Sequence, residues 1–197
     1  MPQEEKNQNL PPQISIYGNP ILEKKAIEVD LEFVEEINDD IIELISTMYL
    51  YGGIGLAGPQ INIMKRIIVW DHQWIETKKK YKNLHLMINP EIIENSEEDI
   101  ALYESCLSIP EVIGPVYRSK EIKVRYIDSS LEIKEEKFDG IDARVIQHEI
   151  DHLDGVLFVN RMNKYERDEI VHFLIALRQA YKKYYDKEGK TNDSTTS

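Results

Sequence analysis

Two histidines one helical turn apart, with a glutamate beside the first, form the clearest chemical signal in the sequence. The segment reads His148-Glu149-Ile150-Asp151-His152. On a helix, positions i and i+4 share one face, so both imidazoles can bind one metal ion. The glutamate between them can then take a proton from a metal-bound water. This pattern favours a hydrolytic metal site over two unrelated surface histidines. Asp151 and Asp154 are expected on the solvated face or just behind the ligands.

Two histidines leave such a site one ligand short, because a catalytic zinc-type site has three protein ligands and one open position. One metalloprotease pattern would place a third histidine where the chain has Phe158. A second class of peptidase takes a glutamate from a following helix, and Glu166 or Glu169 would suit it. The single cysteine, Cys106, could instead bind as a thiolate. Spacing alone leaves the last two routes open. A purely structural site would need four protein ligands.

The elements that must position these residues follow from hydrophobic periodicity. Apolar residues at three- and four-residue steps predict an amphipathic helix over 31–51, ended by Gly52-Gly53. Alternating segments around Asp128-Ser129-Ser130 predict an antiparallel hairpin. Grouped strands with helices at the ends predict an α+β fold. The predicted strands are 66–70, 84–89, 121–127 and 131–138, with a basic loop at 77–82, and the later helices are 142–153, capped by Asp139 or Asp142, and 163–185.

Length and composition indicate one domain with polar ends. Residues 1–13 carry three prolines and predict a flexible lead-in. Residues 14–185 would form a single catalytic domain, and 186–197 a flexible polar tail. Lys and Arg number 24 against 36 Asp and Glu, a net charge of −12. This charge argues against nucleic-acid specificity and against docking on anionic membranes. One cysteine excludes an intramolecular disulfide.

Two further segments carry distinctive residues. Residues 53–60 read GIGLAGPQ and residues 104–108 read ESCLS. Alone, the first is a weak signal, since no G-K-[ST] follows to make it a phosphate loop. Together with QHEIDH at 147–152, and in this order, the segments resemble the three signature motifs of bacterial-type peptide deformylases. The resemblance implies an α+β fold, with mixed and antiparallel strands around a central helix carrying HExxH, an N-terminal helix and a C-terminal helix.

The resemblance also implies a chemistry. Cys106, His148 and His152 would bind one divalent metal ion, Fe²⁺ in cells, with Zn²⁺, Ni²⁺ or Co²⁺ also suited to this donor set. The enzyme would remove the formyl group from the N-terminal formylmethionine of new polypeptides and release formate. Metal-bound water would attack the formyl carbon, with Glu149 as general base. The alternative is an HExxH metallopeptidase with a downstream Glu ligand.

The resemblance further implies how the substrate is held. The tetrahedral oxyanion would be stabilised by the Gln60 side-chain amide and the Leu107 backbone N–H. Ile54 and Val145, with the ring of His148, would line an apolar pocket for the methionine side chain. Backbone groups of Gly55 and Glu104 would bind the extended peptide.

Three residues depart from the family pattern. Gly58 stands where alanine is usual, which should loosen that loop slightly. Ser105 replaces a glycine, and a positive φ there would strain it. Ile113 stands where many members have an arginine, so a contact at the substrate rim would be missing. Arg118 matches a later family arginine that either pairs with Glu104 or stays exposed.

Partners and location follow from the same resemblance. The partners would be N-formylmethionyl peptides and nascent chains, with no membrane and no nucleic-acid specificity. A weak ribosome contact could use Arg178, Lys182 and Lys183 on the last helix, although cations also suit a helix C-terminus for electrostatic reasons. The N-terminus has no secretory or transit-like leader, which predicts a bacterial cytoplasm.

Overall fold

Seven strands and five helices make up the part of the chain that the computed structural model describes, which is residues 14–30, 32 and 37–189, with side chains to residue 183. The strands are β1 (Gly55–Ala57), β2 (Ile67–Trp70), β3 (His85–Asn95), β4 (Asp99–Cys106), β5 (Ile109–Ser119), β6 (Glu121–Ile127) and β7 (Ile133–Asp139). The helices are α1 (Asn38–Leu50), α2 (Trp74–Thr77), α3 (Gly140–Leu153), α4 (Phe158–Arg161) and α5 (Lys164–Gly189). Short 3₁₀ turns occupy Pro20–Glu23 and Gly58–Ile61.

Antiparallel pairing joins all the named strands. Five of them form one sheet in the order β1-β2-β3-β6-β7, and β4 and β5 form a separate hairpin. The predicted hairpin around Asp128 is confirmed, since β6 pairs with β7 from Glu121 opposite Asp139 to Ile127 opposite Ile133. The only parallel contact among the described bridges joins Ile27 to Lys65. The predicted α+β class is therefore confirmed, with sheets that are antiparallel rather than mixed.

Helix α3 carries the HEIDH segment and packs against both sheets. Its apolar face, including Val145 and Ile146, lies in one buried cluster with Trp70 and Ile122 of the larger sheet. The helix also contacts β5 of the hairpin. Of the two predicted caps, Asp139 occupies the N-cap position but makes no side-chain cap hydrogen bond.

The other candidate cap, Asp142, ties the first turn of α3 to the sheet. Its Oδ1 accepts a hydrogen bond from the Trp70 indole N–H at 2.7 Å. The same oxygen contacts His72 Nδ1 at 3.0 Å. Asp142 is therefore not the cap, because its side chain bonds to β2 and not to the free amides of its own helix.

The predicted elements differ from the structure mainly at their ends. The first helix is observed from Asn38, and residues 31 and 33–36 of the predicted span lie outside the described residues. It ends before Gly52, whose φ of 77° is left-handed, as is common after a helix. Strand β3 extends six residues past its predicted end at Asn89 to Asn95. Helix α5 continues to Gly189, past the predicted start of the tail at residue 186.

Hydrophobic periodicity did not predict the β4–β5 hairpin, although β4 carries the candidate site residues Glu104 and Cys106. Most of β4 is exposed, so its residues do not alternate in hydrophobicity. Its buried positions, Glu104 and Cys106, are a charged residue and a lone cysteine. Two residues apart, they face the same side of the strand. A strand whose inward face is polar gives no hydrophobic pattern to find.

Gly58 does more than loosen its loop. A Cβ at this position would lie 2.5 Å from the Ile63 carbonyl oxygen and 2.7 Å from that of Lys65. The absent side chain lets the turn close, with Ile63 N donating to Gly58 O at 3.0 Å. The same turn holds Gln60, which is 2% exposed. Glycine therefore fixes the path of the segment that presents Gln60.

We expect Gly58→Ala to destabilise the protein by about 1–3 kcal/mol, because the methyl group would overpack two fixed carbonyls. Urea denaturation followed by tryptophan fluorescence would measure the loss. Ser130→Ala, on the exposed β6–β7 turn, is the control and should stay near wild type. An unchanged unfolding midpoint for Gly58→Ala would show that the loop has room for the methyl group.

Candidate metal centre

Cys106, His148 and His152 converge from two elements onto one point. Cys106 is the last residue of β4, and the two histidines lie one turn apart on α3. Their ligand atoms all lie within 4.8 Å of one another. Cys106 Sγ is 3.2 Å from His152 Nε2. This is the one group of three or more potential ligands found within the described residues.

The residues present fit a divalent metal ion. One thiolate and two imidazoles are a donor set for Fe²⁺, Zn²⁺, Ni²⁺ or Co²⁺, and three ligands leave a position open. Glu149 Oε2 is buried beside them without a hydrogen-bond partner within the described residues. Such an atom requires an explanation, and an ion with its bound water provides one. Glu166 and Glu169 lie on α5 and are not part of the group, so the residue that the structure brings to the two histidines is Cys106.

The surroundings favour the thiolate form of Cys106. Burial raises the pKa of the thiol, but the nearby imidazoles of His152 and His148 outweigh burial and hold that pKa well below its usual value. A metal binds the thiolate and not the thiol, so the fold supplies the ligand in the form that binding needs.

Glu149 is poised between its two protonation states near neutral pH. Its side chain is buried against Gly55, where a Cβ would lie only 2.5 Å from Glu149 Oε1. Burial, partly offset by His148 and His152, raises its pKa from 4.5 to about 7. A carboxyl group tuned in this way can both accept and return a proton. Gly55 is required here because any side chain would displace that carboxylate.

Gln60 presents its amide nitrogen to the same centre. Its Oε1 accepts a hydrogen bond from Ala57 N at 2.8 Å, which fixes the side chain. Its Nε2 then lies 3.5 Å from Cys106 Sγ and 3.3 Å from Ser108 Oγ. The amide is therefore a preorganised donor beside the ligands. Leu107 lines the cleft together with Gln60 and Cys106.

Glu104 is the most highly bonded carboxylate of the site. It accepts from Arg118 at 2.6 and 3.0 Å, from Arg144 at 2.9 Å, and contacts His148 Nδ1 at 2.8 Å. Although burial opposes ionisation, these hydrogen bonds from His148 and Arg118 hold the pKa of Glu104 well below its usual range. Arg118, which the sequence left either paired or exposed, is thus buried and paired. Through Glu104 the network fixes the ring orientation of His148.

Asp151 was expected on the solvated face or behind the ligands, and the structure shows it buried. It accepts hydrogen bonds from Arg118 at 2.7 Å and from Arg161 at 2.7 and 3.2 Å. Asp154 bonds to Arg66 at 2.7 Å. Sequence analysis missed Arg144 altogether. It stands four residues before His148 and therefore on the same helix face, a spacing that could have indicated it.

A cleft of about 630 Å³ opens onto this centre. The predicted substrate residues Ile54, Gly55 and Val145 line it, together with Cys106, His148 and Glu149. Glu104 also lines the cleft, but its side chain is committed to Arg118 and Arg144.

The two remaining departures from the family pattern also lie along this cleft. Ser105 is not among the residues with positive φ in the described part of the chain, so serine carries no backbone strain there. Ile113 lines the cleft with 62% of its surface exposed. It offers an apolar rim where many members of the family that the sequence resembles have an arginine.

Comparisons with known proteins identify the class. A family model described as polypeptide deformylase matches residues 11–168. The peptide deformylase of Pseudothermotoga lettingae is 44% identical over 175 residues, covering 88% of this chain and 96% of the relative. The crystal structure of peptide deformylase from Plasmodium falciparum superimposes with a TM-score of 0.81 at 36% identity, covering 86% of this chain and 97% of that one. The Thermotoga maritima structure gives a TM-score of 0.69 at 41% identity, covering 77% and 97%.

Fold and site together define a metal-dependent hydrolase. The chain belongs to the polypeptide deformylase family. No helix within the described residues combines the length and the apolar character that a membrane crossing requires.

We expect Glu149→Gln to change how the stability of the metal-free protein depends on pH. The folded pKa of about 7 exceeds the unfolded value of 4.5, so the wild type loses stability as pH rises between these values. The loss is of the order of 3 kcal/mol. Between pH 5 and pH 8, the free energy of unfolding of the variant should therefore rise relative to that of the wild type. Urea titrations of chelator-treated protein at several pH values would measure the difference.

Glu97→Gln, at an exposed carboxylate, is the control, and its stability should depend on pH in the same way as that of the wild type. If the stability of Glu149→Gln also depends on pH in this way, Glu149 ionises in the folded state as readily as in water.

Proposed function

We propose that this protein hydrolyses the N-formyl group of N-formylmethionyl peptides and nascent polypeptides, releasing formate and a free amine. The observation that carries the proposal is the buried carboxylate of Glu149, whose Oε2 has no hydrogen-bond partner among the described residues, beside three converging potential ligands and a cleft. Membership of the polypeptide deformylase family supports the same reaction. The competing HExxH peptidase is disfavoured because Glu166 and Glu169 are not part of the ligand group.

The metal ligands in this proposal are Cys106, His148 and His152. A divalent ion bound there supplies a Lewis acid that makes water a nucleophile near neutral pH. Fe²⁺ is the proposed ion in cells, and Zn²⁺, Ni²⁺ and Co²⁺ also suit the donors. The strands would be arranged around α3, which carries both histidines, and His148 lines the cleft.

Glu149 moves the protons. Its carboxylate takes a proton from the attacking water as the oxygen bonds to the formyl carbon. The same group then returns the proton to the amine nitrogen as the carbon–nitrogen bond breaks. A pKa of about 7 matches both steps, because neither state of the carboxyl group is costly near neutral pH.

Gln60 and Leu107 stabilise the charge that develops on the formyl oxygen. The Gln60 amide is already fixed by Ala57 N, so no reorganisation is needed when the oxyanion forms. The Leu107 backbone N–H is the proposed second donor.

The methionine side chain enters the apolar part of the cleft. Ile54, Val145 and the ring of His148 line it. The substrate backbone would lie along Gly55 and the backbone of Glu104 at the end of β4. Gly55 leaves room for close approach because it has no side chain.

A ribosome contact in a bacterial cytoplasm remains a prediction. Arg178 is already engaged, bonding to Glu23 at 3.1 Å and lying over the Tyr17 ring. Lys182 and Lys183 are exposed on α5 and remain the better candidates.

Formate release from formyl-Met-Ala-Ser tests the proposed function. Chelation should abolish turnover, and Fe²⁺ or Ni²⁺ should restore it. Glu149→Gln should keep its metal and lose about 10²–10⁴ of its kcat, as expected for a general base. Cys106→Ser should lose the metal itself, measured by metal analysis of the purified protein.

Glu169→Gln is the matched control, and its turnover should equal that of the wild type. Hydrolysis of unformylated Met-Ala-Ser, lost in Glu169→Gln, would replace this proposal with the peptidase.

Gln60→Glu should lower kcat by about 10²–10³ with a smaller change in KM, because it replaces a donor to the oxyanion with a negative charge. Steady-state kinetics on formyl-Met-Ala-Ser would separate the two constants. Gln179→Glu, on the exposed face of α5, adds the same charge far from the site and should leave both unchanged. A Gln60→Glu effect confined to KM would assign Gln60 to substrate binding alone.

A further inference from the structure

A continuous chain of charged side chains connects the far side of α3 to the ligand His148. It begins at Arg161 on α4, whose side chain is 50% exposed. Arg161 donates to both oxygens of Asp151, at 2.7 Å to Oδ1 and 3.2 Å to Oδ2. Asp151 Oδ2 also accepts from Arg118 Nη1 at 2.7 Å. Arg118 then holds Glu104, the carboxylate against His148.

Arg118 is divided between two carboxylates. Its Nε and Nη2 bond to Glu104, and its Nη1 bonds to Asp151. Both carboxylates and Arg118 are buried, with side chains between 5% and 8% exposed. Unpaired carboxylate charge is costly at such burial. The position of Arg118 therefore depends on how fully each carboxylate is bonded by other groups.

Arg161 provides that other bonding for Asp151. Within the described residues, Arg161 Nη2 is the hydrogen-bond partner of Asp151 Oδ1. Without Arg161, this buried oxygen would draw Arg118 toward a two-pronged grip on Asp151. The fork that Arg118 makes on Glu104 would then open, and Glu104 would hold His148 less firmly.

We propose that Arg161 is a positioning residue for the metal centre, acting through Asp151, Arg118 and Glu104 on His148. The inference rests on the proposed role of His148 as a metal ligand. Arg161 does not line the catalytic cleft. It lies with Arg118 and Asp151 at a separate polar cavity of about 400 Å³. Its influence must therefore pass through the chain and not through contact with substrate.

Metal affinity tests the proposal without any measurement of turnover. Co²⁺ and Zn²⁺ affinities would be measured by chelator competition for wild type, Arg161→Ala and Arg161→Lys. We expect Arg161→Ala to weaken binding by about tenfold, the lower end for groups behind a metal ligand. Arg161→Lys should weaken it by about threefold, since lysine keeps the charge but not the two-pronged geometry. The visible spectrum of the Co²⁺ protein should shift in Arg161→Ala.

Arg178→Ala is the matched control. Arg178 is 49% exposed and also pairs with a carboxylate, Glu23, but within the described residues that pair is not part of the side-chain network around Glu104 and His148. Its loss should leave affinity and spectrum unchanged. Affinity within twofold of wild type for Arg161→Ala, or an equal loss in Arg178→Ala, would overturn the proposal. If Arg161→Ala does not fold, Arg161→Lys carries the comparison.

A double-mutant cycle tests the route. In a Glu104→Gln background, Arg161→Ala should have little further effect, because the carboxylate through which it acts has gone. The same fold-change in both backgrounds would show that Arg161 acts by another path. If the metal affinities change as expected but the protein releases no formate, the result would count against the proposed function and not against this inference.

Discussion

The carboxylate of Glu104 is the interaction on which the site depends. It joins β4, β5 and α3 by accepting from Arg118 and Arg144 while it contacts His148 Nδ1. Its ion pairs lie almost wholly out of water. Burying a carboxylate is costly unless its oxygens are bonded, and here several donors share the two oxygens. The cost is met only when the hairpin and the helix are both in place. The same bonds that dock the hairpin therefore also orient His148, one of the three clustered potential ligands.

Close packing of α3 against β1 explains the second property of the site. Gly55 lets the helix approach until the Glu149 carboxylate lies against the strand backbone. That approach removes water from Glu149, which raises its pKa toward neutrality. The raised pKa of Glu149 therefore depends on the absence of a side chain at Gly55. A larger residue at position 55 would displace the carboxylate and would also block the cleft it lines.

The pairing of His148 with His152 in one cluster could be predicted because it lies in residue type and local spacing. His148, Glu149 and His152 form a one-turn pattern, and the hairpin β6–β7 follows from alternation. The third member of the cluster could not be assigned on spacing alone, because Cys106 reaches the histidines only through tertiary structure. The resemblance to a known family supplied it. Strand β4 escaped periodicity since its inward face is polar.

Of the two positions expected for Asp151, the structure shows the one behind the ligands, but its arginine partners could not be predicted from the sequence, for a related physical reason. On an acidic helix of a chain with a net charge of −12, a carboxylate without charged partners would stay in solvent. Burial becomes possible only because β5 and α4 bring Arg118 and Arg161 to it. Neither arginine is near Asp151 in a helical repeat, so the pairing is a property of the fold. Such pairs form only when the folded chain brings distant residues together. Local sequence patterns can therefore predict the two clustered histidines, but they cannot predict the buried ion pairs that orient them.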